Sequence, residues 1–339
     1  MQRIHIIMYH YVRDLGRSRY PQIKGLDVDL FRRQLDFLRS RFTIIRMEDL
    51  LVALDGGGRL QGDGRLPGCG NLPGGGRLPD NAALLTFDDG YIDNYTYVFP
   101  LLDEMGLQGS FFPPGMILEQ PVLLDVNKIH FTLAAGDEGA LYGALTDELD
   151  FCRGQEYDIP ATSDLINDYA VPNRFDSGGI IFFKRMLQTV LPERLRRLIT
   201  DKLYKQFVGV DEAVLARELY CDAAQFALMK RRGMYIGLHS SSHGWLGNMD
   251  KSAYERDISH ALGYMDSINL IDKNAWVMNY PYGSWNAGVV EYIRQNGGVA
   301  GITTEAAVAD LSKDNRYLLP RLDTNDYPPK SEKYKTFSV

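Results

Sequence analysis

The sequence predicts an α/β fold built on parallel strands. First, an apolar run at Leu84–Phe87, a helical stretch at Tyr91–Met105 and a second apolar run at Gly109–Phe112 follow one another as strand, helix and strand. Second, strand character returns at Met234–Leu238, near Trp276–Asn279 and near Gly301–Thr303, with a helical pattern at Lys251–Ile268. Third, the chemically distinctive residues follow directly after strands, and parallel α/β folds gather strand ends on one face, where their sites lie.

Composition sets the outer limits. The chain has 339 residues, a formal charge of −7 and 45% hydrophobic residues, which suits a globular protein with a substantial core. The acidic balance and the absence of a long Lys/Arg run argue against nucleic acid as a partner. No apolar segment approaches the ~20 residues of a membrane span. The start, MQRIHIIMYHYV, lacks a signal-peptide pattern because its apolar part is short and broken by His5. The three cysteines, Cys69, Cys152 and Cys221, form no CxxC pair and imply neither a disulfide framework nor a cysteine metal site. A cytoplasmic setting is the expectation.

In chain order, Arg3–Tyr9 reads as an isoleucine-rich strand that delivers Tyr9-His10-Tyr11 at its end. His10 is there either a packed histidine or a site residue. Asp29–Phe42 carries apolar residues near helical spacing and predicts an amphipathic helix. Thr43–Ile45 suggests a short strand and Met47–Leu54 a short helix. Residues 55–81 repeat GGGRL and predict a flexible surface loop, because so many glycines are costly to order. The tract lacks the GxxxxGK[ST] pattern of a phosphate loop.

LLTFDDGY, Leu84–Tyr91, is the stretch around which the chain is organised. Adjacent strand residues face opposite ways, so Asp88 and Asp89 are hard to bury together until the chain turns. They form either a solvated turn or helix cap, or a site. Residues 117–219 then lose the strand–helix rhythm and predict a helical insertion, serving as a core-completing cap or as a lid. Residues 1–116 and 220–339 make the remaining domain. After the strand at Met234–Leu238 comes HSSSH. Two of the six histidines, His239 and His243, stand at i and i+4, one face of a helical turn, and predict a metal pair. YPYGSWN, Tyr280–Asn286, predicts a rigid loop with aromatic surface, set by Pro281 and Gly283. The tail from Tyr327 reads as loosely held.

TFDDG, HSSSH and YPYG, in this order and each after a strand, resemble the three main motifs of the metal-dependent polysaccharide deacetylases, carbohydrate esterases with a distorted β/α barrel. The resemblance covers about residues 82–116 and 233–322, and leaves the glycine tract and helical insertion outside. YHYV further resembles a subgroup acting on poly-N-acetylglucosamine-type glycans. Carried across, the resemblance implies that Asp89, His239 and His243 hold a divalent metal, zinc first, with cobalt, manganese or nickel as alternatives. It implies Asp88 as general base, the Tyr282 N–H as oxyanion donor and His10 as the acid that protonates the leaving amine. Pro281, Trp285 and Arg321 are candidate substrate contacts.

The implied reaction is removal of an N-acetyl group from a sugar, nucleotide-linked, lipid-linked or in an oligosaccharide, in the making of a surface glycan. An O-acetyl esterase and a degenerate glycan-binding barrel are the alternatives. Two departures stand out. Asn279 occupies the place where the family often has an arginine bracing the base, and no histidine follows His260 to supply the late Leu-x-His motif. Arg321 is the candidate replacement for the first and His10 for the second.

Overall fold

The computed structural model describes residues 2–56, 76–172 and 176–337. Most of the glycine tract, 57–75, lies outside the described residues. The chain forms two compact units. One comprises Met1–Arg13, Gly25–Pro121 and Arg217–Val339, the other Asp14–Lys24 and Val122–Ala216.

The first unit is an α/β barrel. The strands of its parallel circuit are β1 (Arg3–Tyr9), β2 (Ala82–Asp88), β3 (Ser110–Phe112), β4 (Tyr235–Ile236), β5 (Trp276–Asn279), β6 (Gly298–Ile302) and β7 (Leu322–Asp323). Parallel pairing runs from β1 to β2, β2 to β3 and β3 to β4. A bridge between Leu238 and Met278 carries it to β5, which pairs with β6. A second bridge, Ile302 to Leu319, leads to β7, and Leu322 returns to Ile7 of β1. The circuit closes, and closure removes the exposed edges that an open sheet would have to protect. An antiparallel strand, Ala309–Asp310, also borders β1, so the sheet is mixed.

β2 is buried along its whole length, as expected of a parallel strand covered on both faces. Alternation still sorts its side chains. Ile4 and Ile6, Ala82 and Leu84, Phe112, Val277, Ala300 and Ile302, and Leu319 pack in one apolar cluster. Continuing the same parity towards the strand ends reaches His10, Asp88, Asn279 and Arg321. The polar site is therefore the end layer of the cluster's own rows.

Helices cover the strands. Val28–Arg41 is capped by Asp27, whose carboxylate accepts from the Asp29 N–H, and it buries Phe31, Gln34, Leu35 and Leu38. Lys251–Ser267 is capped by Asp250 and Ala287–Gln295 by Asn286. The tail is anchored rather than loose: Tyr327 is fully buried, lies 2.9 Å from His5 Nδ1 through its hydroxyl and stacks on Tyr334. The sequence hid this because the tail's composition is polar and its aromatics are isolated.

The second unit is helical and has its own core, with Leu141, Leu145 and Leu149 of one helix packed with Phe182, Leu195, Ile199 and Leu203. Asp14–Lys24, which the sequence placed with the barrel domain, clusters with these helices. Among the described residues no helix is long and apolar enough to cross a membrane.

Candidate metal centre and active site

Asp88 ends β2 and points along the inward row. Asp89 would face the opposite way in a continuing strand. Instead its φ is 67° and that of Gly90 is 70°, so the backbone reverses its handedness and both carboxylates turn to one site. Gly90 is required there: a Cβ would come within 2.9 Å of Pro113 and Ile117 side-chain atoms. Ser240, His243 and Tyr282 also have positive φ, at 58°, 57° and 57°. Such conformations cost non-glycine residues free energy, and of the five among the described residues only Asn269 lies away from the candidate site.

HSSSH is a loop, not the helical turn that its i, i+4 spacing suggested. Helical spacing brings two histidines to one face only if the backbone is helical, and the left-handed Ser240 and His243 exclude that. Asp257 holds the loop: its carboxylate accepts from the Ser241 N–H at 2.8 Å, the Ser242 N–H at 3.0 Å and the Ser242 hydroxyl at 2.5 Å. The Ser240 hydroxyl accepts from the His243 N–H at 3.0 Å.

The loop brings His239 Nε2 to 3.3 Å and His243 Nε2 to 3.1 Å from Asp89 Oδ1. Among the described residues this is the one group of three such donors able to hold a metal ion. Two features test the fit. His239 Nδ1 donates to the Asn279 carbonyl at 2.6 Å, so in the neutral ring Nε2 is a lone pair. That lone pair faces carboxylate oxygen Asp89 Oδ1, which is buried and has no hydrogen-bond partner. Two acceptors at this distance repel unless positive charge lies between them. Donors bound to one tetrahedral ion at ~2.0–2.1 Å stand roughly 3.3 Å apart, close to the separations seen. Asp89 Oδ2 is occupied separately, by the Tyr91 hydroxyl at 2.7 Å.

Asp88 sits in a different environment. Arg321 Nη1 donates to Oδ1 and Nη2 to Oδ2, both at 2.9 Å, in a bidentate fork. The Asn279 amide donates to Oδ1 at 2.6 Å. Arg321 also donates through Nε to the Thr303 carbonyl, through Nη1 to Thr86 Oγ1 and through Nη2 to Asn279 Oδ1. All of its N–H donors are engaged within the protein and it is 1% exposed. The expectation that Arg321 contacts substrate is therefore corrected. Its strand end reaches the cleft from beneath, so it clamps Asp88 instead. Burial pushes the Asp88 carboxyl up, but the Arg321 guanidinium, with His10, outweighs it and holds the group below the usual carboxylate range. Burial likewise pushes Asp89 up. The two imidazoles that face it, His243 and His239, outweigh this and hold it well below that range.

His10 Nε2 lies 3.7 Å from Asp88 Oδ2, and its side chain is 41% exposed, so it can meet a ligand arriving from solvent. Tyr282 lies in the short turn Pro281–Gly283. Its ring meets His243 edge-on and stacks on Trp245 at 4.3 Å and 5°. Pro281 is buried, whereas Trp285 is 44% exposed. Gly247 locks the two loops together: its N–H donates to Ser284 Oγ, and its carbonyl accepts from the Asn286 amide.

Sequence reasoning brought Asp88, Asp89, His239, His243 and His10 to one place. It missed Tyr91, Asp257 and Trp245. Tyr91 follows the motif by one residue after the glycine and could have been suspected. Asp257 lies mid-helix and carries no local signal.

Residues 155–300 match the family model described as polysaccharide deacetylase, a span that includes HSSSH and YPYG but not TFDDG. No curated protein matches the chain in sequence. Solved structures match in fold. The Streptococcus pyogenes deacetylase PplD in complex with acetate is 15% identical, with 99% of each chain covered and a TM-score of 0.56. A de-N-acetylase from Aggregatibacter actinomycetemcomitans is 15% identical, with 98% of this chain and 99% of that one covered and a TM-score of 0.54. IcaB from Ammonifex degensii is 16% identical, with 98% and 97% covered and a TM-score of 0.54.

Proposed function

We propose that this chain, which matches a polysaccharide deacetylase model over residues 155–300 and shares the fold of solved deacetylases, is a metal-dependent hydrolase that removes N-acetyl groups from a carbohydrate. The observation that carries this reading is the buried Asp89 Oδ1, unpartnered and facing two imidazole nitrogens, next to a second carboxylate that is clamped rather than ligating.

Asp89, His239 and His243 would hold the ion. Two neutral nitrogens and one carboxylate suit zinc first, and leave positions for water and the acyl oxygen. A bound divalent cation supplies Lewis acidity towards both of those oxygens. The protein's own groups do the rest. Asp88 accepts the proton of the attacking water. Its fork with Arg321 fixes the carboxylate plane and keeps it ionised. The Tyr282 N–H, on a backbone set by Pro281 and a positive φ, donates to the oxygen on which charge develops. His10 gives a proton to the amine nitrogen as the C–N bond breaks, leaving acetate and a free amine. Trp285 offers an exposed aromatic face to a sugar ring.

The test combines metal analysis of the purified protein with acetate release from N-acetylated sugars, free, nucleotide-linked and oligomeric, using Asp88→Asn as control. Bound metal with no release from any acylated sugar would sink the enzymatic reading. An O-acetyl ester has a better leaving group than an amide. His10→Ala is therefore expected to slow amide cleavage by ~10²-fold or more and ester cleavage much less; equal effects on both would remove His10 as the acid.

A further inference from the structure

We propose that Tyr91 is a positioning residue that makes Asp89 a one-oxygen ligand and so keeps coordination positions open for the reaction. This rests on the metal reading above. A carboxylate can bind an ion through one oxygen or through both, and the second mode consumes a position that water or substrate needs. In this chain the two oxygens of Asp89 are divided. Oδ1 faces the two histidine nitrogens, and Oδ2 accepts the Tyr91 hydroxyl at 2.7 Å. The carboxylate cannot rotate to present both oxygens without breaking that hydrogen bond inside a fully buried setting, where an unmade bond to a charged group is costly.

Tyr91 itself has little room to follow. Its ring is fully buried, stacked on Tyr11 at 3.9 Å and 13° and on Tyr220 at 6.2 Å and 11°. Its main chain bridges antiparallel to Tyr220, and Cys221 donates from its N–H to the Gly90 carbonyl at 2.9 Å. The same ring supports Tyr11, whose chain neighbour His10 reaches Asp88. One side chain thus links a metal ligand to the segment that bears the acid.

Tyr91→Phe removes the hydroxyl and keeps the ring. Metal-free wild type and variant, checked for folding by circular dichroism, are loaded with Co2+ and compared by chelator competition and visible absorption. The variant is expected to bind Co2+ ~10–100-fold more weakly. Its d–d bands should also lose intensity, because added ligands make the ion more nearly octahedral. Tyr220→Leu, which removes a stacking partner but not the hydroxyl, should leave the spectrum unchanged. Wild type and Tyr91→Phe with the same affinity and spectrum would overturn the inference while leaving the metal site standing. So would a Tyr220→Leu spectrum shifted as far as that of Tyr91→Phe. Wild type that takes up no Co2+ would instead overturn the metal reading and this inference with it.

Discussion

Asp88 and Asp89 are chemically identical neighbours, yet the two sides of the cleft treat them in opposite ways. Asp88 is surrounded by donors: both of its oxygens are forked by Arg321, and Asn279 adds a further bond. Its charge is satisfied by the protein alone. Asp89 faces two imidazole nitrogens through an oxygen with no hydrogen-bond partner, and only its other oxygen is satisfied, by Tyr91. Its site is complete only when positive charge is added. One residue of separation produces this contrast because the backbone changes hand between them, from extended at Asp88 to φ 67° at Asp89. A carboxylate whose partners are built in is suited to moving a proton repeatedly. A carboxylate left incomplete is suited to holding an ion.

The largest effect should come from the incomplete side. Asp89→Ala is expected to abolish metal uptake and to lower acetate release by ~10³-fold or more, since the Lewis acid is lost outright; metal content at wild-type level would break the contrast. Next, Asp88→Asn should retain the metal and still lose ~10²–10⁴-fold in kcat, the range of a general base. Metal analysis alongside kinetics separates the two variants. Third, Arg321→Met leaves a buried carboxylate without its countercharge and should destabilise the fold by ~3–5 kcal/mol in denaturant titrations.

The pH dependence of that loss has a definite sign. With its carboxyl held below the usual range, Asp88 contributes stability that is fully present above the unfolded pKa of ~3.9 and is lost as pH falls through the lower folded value. The Arg321→Met variant should lack that contribution, and the acid limb of its kcat/KM profile should move to higher pH. An unmoved limb would remove Asp88 as the titrating base. The smallest effect belongs to the exposed rim. Trp285→Ala should raise KM about 2–10-fold, in line with one aromatic contact, and leave kcat nearly unchanged. A fall in kcat equal to that of Asp88→Asn would place Trp285 among the reacting groups instead.

Much of the candidate site was legible because its residues end strands, and strand ends are marked locally by apolar runs followed by glycine or proline. Asp88 and Asp89 after LLTF, His239 after MYIGL and Asn279 before YPYG are found in that way. The conformation of HSSSH was not legible, since i, i+4 spacing fits a helical turn as well as a loop, and the choice depends on Asp257, a residue fourteen positions beyond His243. The place of Arg321 was only half legible: its parity with Leu319 aims it at the cluster's interior, but whether it meets substrate or Asp88 depends on the depth at which its strand enters the circuit.

By itself the sequence determined the class of fold, the order of the barrel strands and the kinds of donor at their ends, because hydrophobic runs and breakers act over a few residues. The tertiary structure decided which donors share a carboxylate. Arg321 and Asp88 are 233 positions apart, and Asn279 and Asp88 are 191 apart. Only closure of the strand circuit brings them within hydrogen-bonding distance, and only the reversed backbone at Asp89 gives its neighbour a different task.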